Sequence, residues 1–226
     1  IGAAITTKTC FMVLIFDFKF MFNKCILQDG VITLERIIKF TSNNSVYESN
    51  IVFKHGSVLG VSRLSLFYVY NCSFINNKAS RSRGAILVAI HTKKVRIQLV
   101  IFKKNTAGIT GGIYLGFVNK TQITFCAFMK NRAMSNGGSM SLRHVQIFVC
   151  THCKFINGIL ESAGSASIFG NIIEKIKTKK CIFFGNKALK GSGLMLQRCS
   201  TLMIIRTQFI KNSAKTGTAT LYSYSI

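Results

Sequence analysis

The chain has 226 residues, of which 49% are hydrophobic, 19 are Phe and none is Pro or Trp. This apolar composition excludes a disordered chain or a flexible linker, and the length is enough for one large domain. The longest apolar run, residues 10–22, is interrupted by Asp17 and Lys19, so no stretch reaches the ~20 residues of a membrane-spanning helix. Thirty Lys and Arg against six acids give a net charge of +24, which favours anionic partners.

A repeat of about 27 residues runs through the sequence. Its copies align on aromatic anchors, spaced by 26 to 28 residues, at Phe20, Tyr47, Phe74, Phe102, Phe128, Phe155, Phe183 and Phe209. Asn stands three residues after the anchor in seven of the eight copies, and Gly158 replaces it in the sixth. Gly, Ser or Ala stands ten residues after every anchor. A pattern that stays in phase over eight copies indicates a solenoid of stacked coils.

Alternation with a period of two predicts three short strands in each coil. One strand carries the anchor, and the residue two before the anchor faces the same inward side. Apolar residues five and seven before the anchor predict a second strand, and the run after the small residue, as in residues 85–88, predicts a third. The recurrent Asn is predicted to form a turn, since Asn tolerates left-handed backbone and can bond its own main chain. The small residue permits close approach between coils.

These features predict an all-β chain folded as a right-handed parallel β-helix solenoid of about 8 coils, each with three short strands. Residues 1–226 are predicted to form a single domain in which residues 1–12 are a partial leading coil. The sequence begins within a coil and ends shortly after the third strand of the eighth. Because open solenoid ends expose unpaired strand edges, we expect a segment of a longer protein, or a chain that stacks on neighbouring coils of the same or another chain.

The combination of Phe-x-x-Asn with a Gly-Gly-Ala-Ile-like strand start resembles the repeats of the chlamydial polymorphic outer membrane proteins, within the pectin-lyase-like β-helices. The first motif occurs in six copies, which begin at Phe20, Phe74, Phe102, Phe128, Phe183 and Phe209. Residues 84–86, 111–113 and 137–140 approximate the second motif. The resemblance covers nearly the whole chain. It implies a cell-surface or extracellular β-helix used for adhesion or structure.

Polysaccharide lyases and hydrolases need two or three carboxylates that converge on one sugar. The six acids of this chain occupy unrelated columns of the repeat: Asp17, Asp29, Glu35, Glu48, Glu161 and Glu174. The four His residues (His55, His91, His144 and His152) are also assigned to unrelated columns, so no catalytic triad is predicted. We therefore expect no catalytic or cofactor-binding residues here. A β-helical carbohydrate-active enzyme with its active site outside this segment is an alternative.

The cysteines are predicted to be core residues. Cys150-Thr151-His152-Cys153 has the spacing of half a zinc site, but both cysteines fall in inward-facing columns and no second pair accompanies them. Cys126, Cys153 and Cys181 share one column. Because in-register side chains on parallel strands hold their Cβ atoms about 4.8 Å apart, beyond the usual disulfide distance, we expect a ladder of buried thiols and no metal site.

The basic residues beside the Asn turn are the one ordered surface signal. Lys78, Lys104, Lys130 and Arg132 are expected along one edge at the ~4.8 Å coil spacing. Such an edge would contact a polyanion such as an acidic glycan through charge alone. Nucleic acid is disfavoured because no exposed aromatics for base stacking are evident. The alternative for this edge is a solvated turn that favours solubility.

The function expected from the sequence is a non-enzymatic structural or adhesive segment of a larger surface or extracellular protein. A filament subunit that stacks end to end is a further alternative to the enzyme.

Overall fold

The computed structural model describes residues 5–25, 30–53, 56–79, 85–162 and 164–224. Over these residues the chain consists of strands joined by short turns, and every strand pair is parallel. Neighbouring strands come from successive copies of the repeat, so the chain winds as a β-solenoid of about eight coils. The predicted all-β parallel solenoid is confirmed. Among the described residues there is no helix with the length and apolar character of a membrane span.

Three sheets run along the solenoid. The anchor sheet contains Lys19–Met21, Val46–Glu48, Ser73–Ile75, Ile101–Lys103, Ala127–Met129, Lys154–Ile156, Ile182–Phe184 and Gln208–Ile210. The short-strand sheet contains Lys24–Cys25, Ile51–Val52, Lys78–Ala79, Thr106–Ala107, Arg132–Ala133, Ile159–Leu160, Lys187–Ala188 and Ser213–Ala214. The long-strand sheet contains Ile5–Phe16, Ile32–Asn43, Leu59–Ser62, Leu66–Tyr70, Ala85–Gln98, Thr110–Thr124, Asn136–Gly137, Met140–Thr151, Gly164–Ser165, Ile168–Lys179, Leu194–Ile205 and Leu221–Tyr224.

Three strands per coil are confirmed and all the predicted positions lie in strands, but the division of the coil into strands was wrong. The strand after the small residue and the strand before the anchor form one continuous strand of 12 to 15 residues in most coils. Within the described ranges they are separate in one coil, as Leu59–Ser62 and Leu66–Tyr70. The remaining sheet consists of two-residue strands that follow the recurrent Asn. The predicted partial leading coil lies partly on residues 1–4, outside the described residues.

Each coil bends at three left-handed corners. The backbone has φ of about +46 to +63° at the positions eleven before, three before and two after the anchor. In the coil of Phe128 these corners are Phe117, Phe125 and Lys130, with φ of 53, 54 and 54°. The predicted role of the recurrent Asn as the left-handed residue was therefore wrong, because the residue before it takes that conformation. From the coil of Phe20 to that of Phe183, the corners three before and two after the anchor donate a main-chain hydrogen bond to the next coil, as from Lys130 N to Ile156 O at 2.8 Å.

The core follows the predicted columns. Each anchor is paired in register with the anchor of the next coil. Their rings stack with centroids 4.4 to 5.2 Å apart, within the range of favourable aromatic pairs. Six of the eight anchors, from Tyr47 to Phe183, have no solvent exposure. One hydrophobic cluster joins the anchors to the inward side chains of the long strands.

The recurrent Asn residues form a second, polar ladder inside the core. The side-chain oxygen of Asn131 accepts hydrogen bonds from the main-chain N–H of Asn105 at 3.1 Å and from its Nδ2 at 3.2 Å. Asn131 Nδ2 in turn donates to the carbonyl of Phe102 at 2.9 Å. The ladder is interrupted at Gly158, where a Cβ would lie 2.6 Å from the carbonyl oxygen of Ala166. Buried amides are therefore satisfied by their neighbours along the stack rather than by water.

Candidate functional site

The four residues of the predicted basic edge are all exposed. Lys104 and Lys130 occupy left-handed corners of adjacent coils. Lys78 and Arg132 take the outward position of two-residue strands, and Thr106 lies between them in register. The structure therefore places these four residues along the boundary between the anchor sheet and the short-strand sheet. In the corner column, Lys104 and Lys130 follow each other on successive coils. In the strand column, Thr106 separates Lys78 from Arg132.

Two of these residues line a groove of about 480 Å³ beside the short-strand sheet, which we call the short-strand groove. Lys78 and Arg132 contribute its positive groups, and Phe53 and Met134 are exposed apolar groups in its lining. Glu161 also lines the groove and pairs with Arg132 at 2.5 Å. Both partners are more than a third exposed, so this ion pair adds little stability. It does reduce the positive charge of the edge at Arg132.

A second groove, of about 580 Å³, lies beside the corners eleven positions before the anchor, and we call it the corner groove. Its wall is a stack of three rings, in which Phe117 lies between His91 and His144 with centroid distances of 4.8 and 4.6 Å. The neighbouring outward column supplies Lys93, Asn119, Gln146 and Glu174 to the same groove. The groove thus offers amides and both signs of charge.

The assignment of the His residues to unrelated columns was wrong. His91 and His144 share one column, two coils apart, and Phe117 separates them. The premise that exposed aromatics are lacking was also wrong, since Phe117 is 47% and Phe125 is 52% exposed. Both faces of the Phe117 ring are covered by imidazoles, and His152 covers one face of Phe125. More exposed rings lie in the first coil, at Phe11 and Phe22, which are 72% and 74% exposed.

A second set of basic residues lies on the outward side of the long-strand sheet. Four Lys residues fill one column, eight positions before the anchor, and we call them the basic face: Lys39, Lys94, Lys120 and Lys175. Lys94 is paired directly with Lys120 on the next coil. In order along the stack, the column reads Lys39, Leu66, Lys94, Lys120, Ile147, Lys175 and Thr201. Leu66 and Ile147 therefore interrupt the run of Lys residues. The aligned repeats contained this signal, because four of the eight copies have Lys at that position.

A small pocket of about 280 Å³ adjoins the basic face. It is lined by Tyr68, Arg96, Gln98, Gln122 and Thr124, together with Ile97. Burial, with a further contribution from Tyr70, raises the pKa of the Tyr68 hydroxyl above its ordinary value, although Arg96 opposes this, and the neutral hydroxyl can donate a hydrogen bond. Guanidinium, amide and hydroxyl groups in one pocket can bind both sugar hydroxyls and carboxylate or sulfate groups.

The acidic residues of the described chain are dispersed. Glu161 lines the short-strand groove and Glu174 the corner groove, each without a second carboxylate in the lining. Glu35 is engaged by Arg63 at 3.1 Å and by Arg36 at 3.7 Å. Asp29 lies outside the described residues. Across the described ranges, no cluster of three or more His, Cys, Asp or Glu could hold a metal ion.

The cysteine column is placed as predicted. Cys126, Cys153 and Cys181 are buried free thiols on successive coils. Cys150 is buried as well, within the long strand that precedes the anchor Phe155. Neither cysteine of the Cys-x-x-Cys motif reaches the surface, so both belong to the core.

The comparisons with known proteins give one match. Residues 71–89 match the family model described as the Chlamydia polymorphic membrane protein repeat. This stretch contains Phe74 and Asn77 of the Phe-x-x-Asn motif and the strand start at Ala85. No curated protein and no solved structure matches the chain. The match covers less than one coil, so it identifies one copy of the repeat as similar to the repeats of those membrane proteins.

Proposed function

We propose that this chain is a non-enzymatic structural segment of a surface-displayed protein, and that its basic face binds an acidic glycan. Surface display is proposed from the similarity of residues 71–89 to a repeat of Chlamydia polymorphic membrane proteins. The structural role is supported by the ladder of stacked rings, which joins all eight anchors, and by the paired amides, whose ladder is interrupted only at Gly158 among the described coils. At ~4.8 Å per coil, eight coils make a support roughly 35 to 40 Å long.

The observation that carries the binding proposal is the column of Lys residues on the long-strand sheet. Lys94 and Lys120 lie on neighbouring coils, well within the ~8 Å screening length of physiological salt. None of the ion pairs found among the described residues involves this column. A linear polymer with regularly spaced carboxylates or sulfates would neutralise these charges together and release bound counterions, as polyanions do generally.

Acidic glycan fits this surface better than nucleic acid. The pocket beside the column offers Tyr68, Arg96 and Gln122, which are suited to sugar hydroxyls and to anionic substituents. The lining of this pocket includes one aromatic ring, that of Tyr68, rather than a series of rings on which successive bases could stack.

A catalytic role is not proposed. Glycosidic bond cleavage needs a second carboxylate at a defined distance, and each of the two larger grooves has one, Glu161 or Glu174. The enzyme alternative with its active site elsewhere, and the predicted end-to-end stacking with neighbouring coils, stay predictions.

Binding of the 226-residue chain to heparin and to hyaluronan, measured at several salt concentrations, tests the proposal. Three variants each replace three Lys or Arg residues with Glu and so change the net charge equally. The first changes the basic face and its pocket (Lys94, Arg96 and Lys120), the second the basic edge (Lys78, Lys104 and Lys130), and the control changes Lys19, Lys154 and Lys215. All nine residues lie on the surface, and the three variants change different parts of it.

We expect the first variant to bind at least ~10-fold more weakly than the control, with a smaller salt dependence because fewer counterions are released. A comparable loss in all three variants would show that net charge alone determines binding, and would overturn the proposal. A loss confined to the second variant would overturn the assignment to the basic face and move the site to the predicted edge. Tighter binding to single-stranded DNA than to either glycan would contradict the ligand class.

A further inference from the structure

Two thiols from successive coils meet in the core. The Sγ atom of Cys181 lies 3.8 Å from the Sγ atom of Cys150 and 3.5 Å from the carbonyl oxygen of the same residue. Both cysteines are buried and free. They are not partners in register, since Cys150 is paired with Thr178. The contact is therefore a diagonal one, between the column five before the anchor and the column two before it.

The same diagonal contact recurs along the solenoid without a second thiol. Cys126 Sγ faces the carbonyl of Ile97, and Cys153 Sγ faces the carbonyl of Ile123, each at 3.7 Å. At Cys72 the corresponding side chain is that of a serine, Ser42, with Oγ 3.5 Å from Sγ. Among the described coils, only the pair at Cys150 and Cys181 brings two sulfur atoms together at this position.

We propose that Cys150 and Cys181 form a disulfide bond when the chain folds in an oxidising compartment. The sulfur atoms are in contact at 3.8 Å, so bond formation requires the two side chains to move closer, to the ~2.05 Å bond length. The bond would join the coils of Phe155 and Phe183 across a separation of 31 residues. Surface display, as proposed above, supplies the oxidising setting, because disulfides persist in extracellular proteins. The contact itself does not depend on that proposal.

The oxidation requires access before the coils close. Interactions with Cys153 and Cys181, together with burial, raise the pKa of Cys150 well above its usual value. For Cys181 the hydrogen bond to Cys150 lowers the pKa, but interaction with Cys153 and burial outweigh it and raise the pKa to about 11. The folded thiols are thus protonated and shielded, which makes them poor nucleophiles. Bond formation therefore belongs to folding or to local opening.

The oxidant is a small disulfide such as oxidised glutathione. One cysteine thiolate attacks this disulfide, forming a mixed disulfide and releasing one glutathione thiolate. The second cysteine thiolate then attacks the protein-bound sulfur of the mixed disulfide and releases the other glutathione. Two electrons pass from the cysteine pair to the oxidant. The two protons lost by the cysteines end on the two molecules of reduced glutathione.

Peptide mapping tests the bond. The chain is refolded with oxidised and reduced glutathione, remaining thiols are alkylated, and trypsin is added. Cleavage at Lys and Arg yields peptides 144–154 and 181–187, which contain Cys150 with Cys153 and Cys181 respectively. We expect these two peptides to be linked. The variants Cys150→Val, Cys153→Val and Cys181→Val assign the sulfur atoms, since Val occurs naturally in both columns at Val69 and Val100.

The link should be lost in Cys150→Val and in Cys181→Val but kept in Cys153→Val and in the control Cys126→Val. Reduction should lower the Tm of the oxidised wild type and of that control by roughly 10 °C, and leave the Tm of Cys150→Val and Cys181→Val unchanged. A link that survives in Cys150→Val would assign the bond to Cys153 and overturn the proposal. Absence of the link from oxidised wild type would also overturn it.

Discussion

Replacement of Asn131 by Ala should destabilise the solenoid far more than the same change at its end. Asn131 is fully buried, and its amide makes three hydrogen bonds of 2.9 to 3.2 Å to Phe102 and Asn105. Ala removes all three and leaves the main-chain N–H of Asn105 without an acceptor. At about 1 kcal/mol for each of the three lost bonds and about 1 to 2 kcal/mol more for the orphaned donor, the free energy of unfolding should fall by about 4 to 5 kcal/mol.

Asn212 provides the matched control. Its amide makes the equivalent three bonds, to Asn186 at 2.9 and 3.1 Å and to Phe183 at 2.9 Å. It is only half-buried, so water can replace the lost partner, and Asn212→Ala should cost about 1 to 2 kcal/mol.

The assay is urea unfolding followed by far-ultraviolet circular dichroism, combined with amide hydrogen exchange at residue 105, because solenoids can open locally. In Asn131→Ala, exchange at this amide should accelerate together with the fall in the urea midpoint. Equal losses of stability in the two variants would refute the reasoning, since they would show that burial of the ladder does not set its contribution.

Three further changes probe other features of the coil. Gly138→Ala should lower the Tm strongly, because the new Cβ would lie 2.3 Å from the carbonyl oxygen of Ala166. In the control Gly116→Ala, the atom nearest to the new Cβ belongs to the side chain of Tyr114, at 3.2 Å, so this change should be tolerated. Thermal unfolding of both variants measures the difference. Burial raises the pKa of Tyr47 above its unfolded value of about 10, so stability should fall as the pH rises above about 10. Tyr47→Phe should reduce that dependence in urea titrations at several pH values. Ile172 is β-branched at φ +58°, so Ile172→Asn should stabilise by about 1 kcal/mol, measured as a higher urea midpoint.

The sequence was sufficient for the parts of the fold that one column of side chains determines. Phe102 and Phe128 occupy the same position in two copies of the repeat. Because an apolar ring at this position faces the core in every coil, the register follows from the spacing alone. The buried Asn column was visible for the same reason. Its role was misread because the sequence shows which residues repeat but not which partner satisfies them. Turn chemistry suggested a local bond, whereas Asn131 bonds the neighbouring coil.

The corners could not be predicted from residue types. Phe117, Ile172 and Arg198 occupy the same left-handed corner, and none of them is a residue that favours this backbone. The stack imposes the conformation, because the residues on both sides of the corner are paired in register with the next coil, as Gly116 with Arg143 and Val118 with Val145 around Phe117. The predicted second and third strands merge for this reason: a single left-handed residue turns the chain without ending the ladder.

The surface sites were harder to predict because a solenoid stacks every column, whether or not the stack has a function. The rings of His91 and Phe117 lie face to face outside the core as a consequence of register, so an exposed ladder of rings is weak evidence for binding. Charged columns differ, because like charges held opposite each other on neighbouring strands lower stability. Lys94 opposite Lys120 is such a pair, and neither has an ion-pair partner among the described residues. An anionic polymer would convert this repulsion into binding energy. The basic face is therefore a stronger candidate for a ligand than the exposed rings, whose stacking already stabilises the coils.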